Sequence, residues 1–407
     1  MPSALIAFGV ALCGTLAASA QSLPAWSTVD DIENGYQSSM AADAVGNVFV
    51  AGEVTQGGIS YGCLTKFSVQ GKETAVNQAV TYYSAVATAK VETTASTGLP
   101  ATQHHLVTVG EVMNRGEWVV SRSVNAGVSW VTLDVFKHPS WLSTNPGTPG
   151  VLGAAIDGNG NIYVIGHARK RTVVKNKVSS ASYWLVRKIG KDASAVGGEV
   201  GKTTMDLFET ANGGYSWPKG VTCVGTNVFI AGMSGNRWQV RKNTGVGATW
   251  ELVDDFLLSS GYPSDARAIA ADSSGNLYVV GVGYRAVGRG SVGSWIVRKG
   301  TGTGTNSFQE LDRLDGAAAN GVGIDVNGNV SVTGGAQNQW VTRQLTAGTL
   351  EWTTIDRFSL KDNLRAQGYD IVAGTAGNLF AAGWAYDGIS WHEWVVRQLA
   401  PVPPLVP

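Results

Sequence analysis

Six carboxylates, Glu111, Asp265, Asp315, Asp362, Asp387 and Glu393, fall in segments that join the regular apolar runs of this chain. Two of them facing each other across a cleft, roughly 5–9 Å apart, would suit hydrolysis of a glycosidic bond. Their positions along the chain leave open whether any two meet at that distance. "DGNGN" from Asp157 to Asn161 and "DVNGN" from Asp325 begin like a calcium loop. Each lacks the glycine at the sixth position and the late glutamate that complete an oxygen shell, so a tight hairpin is the stronger reading. His104 and His105 are adjacent, expected in a long turn as surface imidazoles facing different ways, and they make a poor metal pair. The reading therefore names no metal and no cofactor.

A second group could bind rather than react. Trp141, Trp217, Tyr262, Tyr284, Trp384, Tyr386 and Trp391 occupy the variable segments, beside a basic run of Arg169, Lys170, Arg171, Lys175 and Lys177. Exposed aromatic rings stack on sugars or anchor protein loops, and neighbouring cations favour anionic partners. The competing expectation is that the rings pack their own loops and that the basic run is a solvated hairpin.

The chain must supply elements that position these groups. Lys plus Arg number 30 and Asp plus Glu 30, for a net charge of zero over 407 residues. No basic stripe is available for a phosphate backbone, which speaks against a nucleic-acid partner. Residues 1–20 read as a signal peptide: "ALIAFGVALCGTLAA" is apolar, and Ala18-Ser19-Ala20 offers a cleavage site before Gln21. Membrane-anchor and lipoprotein readings are weaker, because the apolar run is short and Leu12 precedes Cys13 where a small residue is wanted. No later run is long enough to span a bilayer, so a secreted or periplasmic monomer is expected. Cys63 and Cys223 are expected to be free, buried thiols.

An internal repeat decides the architecture. "MAADAVGNVFVAG", "AAIDGNGNIYVIG", "IAADSSGNLYVVG", "VGIDVNGNVSVTG" and "DIVAGTAGNLFAAG" share one plan, ending at Gly52, Gly166, Gly281, Gly334 and Gly383. Degenerate copies end at Gly110 and Gly232. Each unit starts with two apolar strands around a tight turn, where Gly275 and Asn276 would tolerate positive φ. A third strand follows, as in "WLVRK" at Trp184 or "WIVRK" at Trp295. The fourth carries Trp and Asp four residues apart, as in "WELVDDF" at Trp250. Seven such units predict an all-β, seven-bladed β-propeller over residues 21–400, with a Pro-rich tail at 401–407. The last unit lacks a fourth strand, whereas "PAWSTVDDI" at the mature N-terminus fits one. Trp26 to Ile32 should therefore complete blade seven and close the ring.

Between third and fourth strands, Ser123, Asn125, Gly127, Ser129 and Trp130 follow an S-x-D-x-G-x-T-W plan with Asn for Asp. Asn243, Gly245, Gly247, Thr249 and Trp250 follow it more loosely. This resembles the Asp box of bacterial neuraminidase repeats, found in sialidases, other glycosidases, sortilin-type receptors and photosystem assembly factors. The resemblance implies a structural turn, with a polar side chain bonding local N–H groups and the Trp wedged into the blade. Its enzyme implication is sialidase activity, which uses three convergent arginines and an Arg-Ile-Pro signature. The chain has no Arg-Ile-Pro, and Arg187, Arg241, Arg298, Arg343 and Arg397 recur at one third-strand position around the ring. They read as a packing or hydrogen-bonding element. The expectation is a non-catalytic module holding a glycan or protein on the face with the long loops; the alternative is a glycoside hydrolase using a carboxylate pair there.

Overall fold

The computed structural model describes residues 26–399 except 34, 69, 78–79, 95–99, 113–115, 138–149, 175–176, 194–199, 210–214, 306, 363, 375–376 and 390–392. The described residues form seven antiparallel sheets of four strands, without helix, arranged as a seven-bladed β-propeller. Blades one to six span residues 35–77, 82–136, 151–209, 216–256, 264–315 and 317–358 in order. Blade seven takes three strands from Ala366–Ala373, Leu379–Ala385 and Glu393–Leu399, and its fourth from the other end of the chain. Trp26–Glu33 pairs antiparallel with Glu393–Leu399, placing Trp26 opposite Leu399 and Glu33 opposite Glu393. The expected closure is therefore present, and it covers an edge that would otherwise be open.

The first turn of four blades is built by side chains as much as by backbone. Asp272 Oδ1 accepts from the N–H groups of Ser274 and Asn276, and Asn276 Nδ2 donates to Asp272 Oδ2 at 2.7 Å. Asp43 with Asn47, Asp157 with Asn161 and Asp325 with Asn329 repeat this clamp. Gly275 takes φ of 82° as expected, but Asn276 does not; it serves as a side-chain donor instead. Both oxygens of each Asp are turned onto local N–H donors, which is a hairpin device rather than a cation shell. Among the described residues no group of three or more His, Cys, Asp or Glu could hold a metal.

The repeated glycine has a packing cause. A Cβ on Gly166 would lie 2.4 Å from the Trp118 ring, and one on Gly281 would lie 2.8 Å from Trp238 and 2.0 Å from Asp265 O. Trp118, Trp184, Trp238 and Trp295 thus each slide under the next blade's repeated glycine, which must have no side chain, and Trp340 lies under Gly368 instead. Trp118, Trp184, Trp238, Trp295, Trp340 and Trp394 are all fully buried. Fourth-strand phenylalanines close on them, as in Trp238–Phe256 at 5.9 Å and Trp340–Phe358 at 5.8 Å. These contacts bind blades into a ring because one blade alone would expose both apolar faces.

The recurrent arginines form the second inter-blade device. Arg187, Arg241, Arg298, Arg343 and Arg397 pair with Asp134, Asp206, Asp254, Asp312 and Asp356, each on the preceding blade's fourth strand. A bulge just before each of these aspartates shifts the register. Of the two remaining junctions, the one between blades one and two loses arginine, aspartate and bulge together, whereas the closing junction keeps Asp30 and its bulge. Blade one has Ala75 opposite Leu64 and no bulge, and the facing blade-two position holds Ser121. At the closing junction Thr65 replaces the arginine, and Lys72 reaches Asp30 instead.

Three local expectations need correction. His104 and His105 lie in the strand Pro100–Val112, not in a turn. His105 is buried there, and desolvation lowers its pKa to about 4. The long segment carrying the basic run, expected among the loops, is strand over its described residues: Ile162–Val174 pairs with Lys177–Ile189. Arg169, Lys170, Arg171 and Lys177 therefore sit on a hairpin, the alternative reading, while Lys175 lies outside the described residues. Cys63 and Cys223 are both free as expected, although Cys223 is only partly buried.

Candidate ligand-binding face

Connections from second to third strand, and from one blade to the next, share one face, here called the upper face. Every blade carries an irregularity near it: the first strand bulges by one residue, at Ser38, Ser84, Leu152, Lys219, Arg267, Asn320 and Tyr369. Bulges re-aim side chains, and five of these residues, from Leu152 to Tyr369, line a central cavity of about 230 Å³. A polar belt runs along its wall. Lys219 Nζ donates to Asp265 Oδ2 at 2.6 Å, Arg267 Nε to the same oxygen at 3.3 Å, Arg267 Nη1 to Asn320 Oδ1 at 2.6 Å, and Asn320 Nδ2 to Gly368 O at 2.7 Å. Its cations are thus already satisfied by the protein.

Asp370 adds a partly buried carboxyl on the same wall. Its oxygens accept from the N–H groups of Met40 and Ile371, yet burial pushes its pKa up to about 6. The Met40 bond crosses from blade seven to blade one.

A larger cavity, of about 520 Å³, opens between blades five, six and seven. Tyr284 and Trp384 stand on its sides, at the ends of the second strands of blades five and seven. Gly293 lets the Tyr284 ring lie across its own hairpin, because a Cβ there would be 3.2 Å from the ring. Gln367 is the cross-strand neighbour of Trp384, and its side chain rests on Gly335. Gln337 and Asn338 form the turn at the cavity mouth, with φ of 51° and 65°. Arg365 is the charged residue of the lining, which holds no carboxylate among the described residues.

Two expected site residues, Tyr284 and Trp384, thus line one cavity, and Trp217, Tyr262 and Tyr386 are not among its described lining. Trp217 belongs to a first strand, Ser216–Val224, on blade four, where it stacks on His167 with centroids 5.2 Å apart. Tyr262 sits in the link between blades four and five, and Tyr386 follows blade seven's second strand, its N–H donating to Arg365 O at 2.9 Å. Arg169 and Arg171 are placed by backbone alone, opposite Ser182 and Ser180. Trp141 and Trp391 lie outside the described residues. Reasoning from sequence missed Arg365, Gln337, Asn338 and Gln367, since single amides and one arginine carry no pattern.

Four of the six candidate carboxylates are committed within the scaffold; of the other two, Glu393 opens the strand Glu393–Leu399 and Asp362 lies exposed in the link before blade seven. Glu111 is fully buried, accepts from Tyr82 Oη at 2.5 Å, and is raised in pKa by desolvation. Asp265 holds Lys219 and Arg267; Asp315 holds Arg285 and Ser294, each at 2.6 Å. Asp387 accepts the N–H of Ile389 at 2.7 Å.

The opening between third and fourth strands on the opposite face also resolves. Ser123 Oγ accepts from Gly127 N at 2.9 Å, Asn125 Oδ1 from Ser129 N at 2.9 Å, and Gly127 takes φ of 89°. Asn243 similarly accepts from Gly245 N at 2.7 Å. The turn is as expected, but the wedge is uneven. Trp250 packs against the buried cluster around Trp184 with Arg241 5.5 Å from its ring. Trp130 stays 36% exposed, its Nε1 donating back to Gly127 O.

No family model matches the chain, and no curated protein does. Solved structures with the same fold include YCF48 bound to D1 peptide, at 12% identity and a TM-score of 0.53, covering 95% of this chain and all of that one. A puromycin-hydrolyzing peptidase of Mycobacterium tuberculosis matches at 10% identity and TM-score 0.52, over 86% of this chain and 49% of its own. These likenesses show a propeller scaffold and nothing finer. No helix among the described residues is long and apolar enough to cross a membrane.

Proposed function

We propose that this protein is an exported, non-catalytic binding module that holds a glycan or protein ligand on its upper face. The observation that carries this reading is the cavity between blades five and seven: Tyr284 and Trp384 converge on it, and its described lining has no carboxylate. Aromatic walls with a few polar groups suit recognition, whereas glycoside hydrolysis needs two carboxyls facing the scissile bond. Glu111, Asp265 and Asp315, expected in loops but placed in strands, and Asp387 already hold bonds within the scaffold. The apolar leader at residues 1–20 supports export.

A glycan array and an activity screen on polysaccharide substrates, run on the same folded preparation, test this. Saturable binding without product release is the expected result. Release of reducing sugar that follows protein concentration would overturn the non-catalytic reading.

A further inference from the structure

We infer that the cavity between blades five, six and seven takes an acidic sugar: one ring of an oligosaccharide against Trp384, with its carboxylate on Arg365. The inference rests on the binding reading above and supplies its ligand class and site.

Charge is the first argument. Arg285, on the same sector, is committed to Asp315, and Arg313 to Glu310. Arg365 makes no ion pair among the described residues, while its backbone carbonyl is fixed by Tyr386. A guanidinium at a cavity edge, with no carboxylate in the described lining, attracts an anion and can grip a carboxylate with two parallel N–H donors.

Amide placement is the second. Gln337 and Asn338 occupy the two central positions of a turn that needs positive φ at both, a geometry in which glycine is favoured and glutamine is strained. Blade four solves the equivalent turn with Gly235 and Asn236, at φ of 57° and 71°. Blade six keeps a long amide side chain there instead, at the mouth of the cavity. With Gln367 beside Trp384, the cavity has donors and acceptors for ring hydroxyls next to an aromatic platform. A volume of about 520 Å³ admits one or two sugar rings.

Calorimetric titration of the full chain with trigalacturonate and with its carboxyl-reduced counterpart tests the assignment. The wild type should prefer the acidic trisaccharide by at least tenfold, less so as salt rises. Arg365→Gln should abolish that preference while leaving the weaker binding of the reduced sugar. Trp384→Ala should weaken both. Gln337→Gly should weaken both without lowering the melting temperature, because it relieves a strained turn. Equal affinity of the wild type for the two sugars, or an acidic preference that survives Arg365→Gln, overturns the assignment. Tight glycan binding that ignores all three substitutions overturns the site yet leaves the binding reading standing. Hydrolysis of the trisaccharide would remove the non-catalytic reading and leave the site.

Discussion

Arg397 Nε lies 2.8 Å from Asp356 Oδ2 and its Nη2 lies 2.9 Å from Oδ1, so blade seven grips blade six through a two-point ion pair. The guanidinium also sits 4.1 Å from the centre of the Phe358 ring. Each partner is almost buried, at 9% and 8% side-chain exposure, so neither can be removed without stranding the other.

The equivalent pair Arg298–Asp254 should show this stranding. Asp254→Ala leaves a buried guanidinium, and its expected loss is about 3–5 kcal/mol. Replacing both partners, as Arg298→Met with Asp254→Leu, should recover most of it. Denaturant melts of the three variants check this; a double variant no better than the single would refute it.

Closure by the N-terminal strand predicts that deletion of residues 21–34 exposes the backbone edge of Glu393–Leu399. Aggregation or a marked fall in melting temperature is expected. A monomer with unchanged stability after the deletion would contradict it.

Asp370 makes stability depend on pH. Its folded pKa of about 6 lies above the ordinary 3.8, so the folded state favours the protonated carboxyl. Stability from this group is full below about pH 4 and is lost as pH rises to about 6, by on the order of 3 kcal/mol. His105 acts oppositely: its folded pKa of about 4 lies below 6.5, so stability falls as pH drops between them. Asp370→Asn should keep an acceptor for Met40 N–H and raise stability at pH 7 while leaving the acid limb. Parallel melts from pH 4 to 8 decide it; an Asn variant with the wild-type slope would refute the assignment.

Tryptophans should separate by burial rather than by motif. Trp295→Ala, fully buried, should cost about 3–5 kcal/mol. Trp250→Ala, half-buried under Arg241, should cost about 1–2 kcal/mol, and the exposed Trp130→Ala under about 1 kcal/mol. None should change ligand affinity of the folded fraction, whereas Trp384→Ala should change affinity with a smaller effect on melting. Loss of binding in a still-stable Trp250→Ala protein would make that turn a functional site.

The fold was legible because its signals are local and repeated. The turn of Asp272 and Asn276, the Trp and Asp of "WELVDDF" and the glycine closing each second strand act within a few residues of one another, so period alone revealed seven units and the missing fourth strand. The repeat even marked the arginines as structural. What it could not say was which aspartate each would meet, since Arg187 and Asp134 stand 53 residues apart on different blades. The same limit applied to Trp130 and Trp250, equal in motif but unequal in burial because their neighbours differ. It applied most to the candidate site: Tyr284, Gln337, Arg365 and Trp384 come from three blades, and their meeting depends on how those blades pack. The sequence by itself determined strands, turns and their number; the tertiary structure decided which side chains share a cavity, because that depends on inter-blade packing which no local spacing encodes.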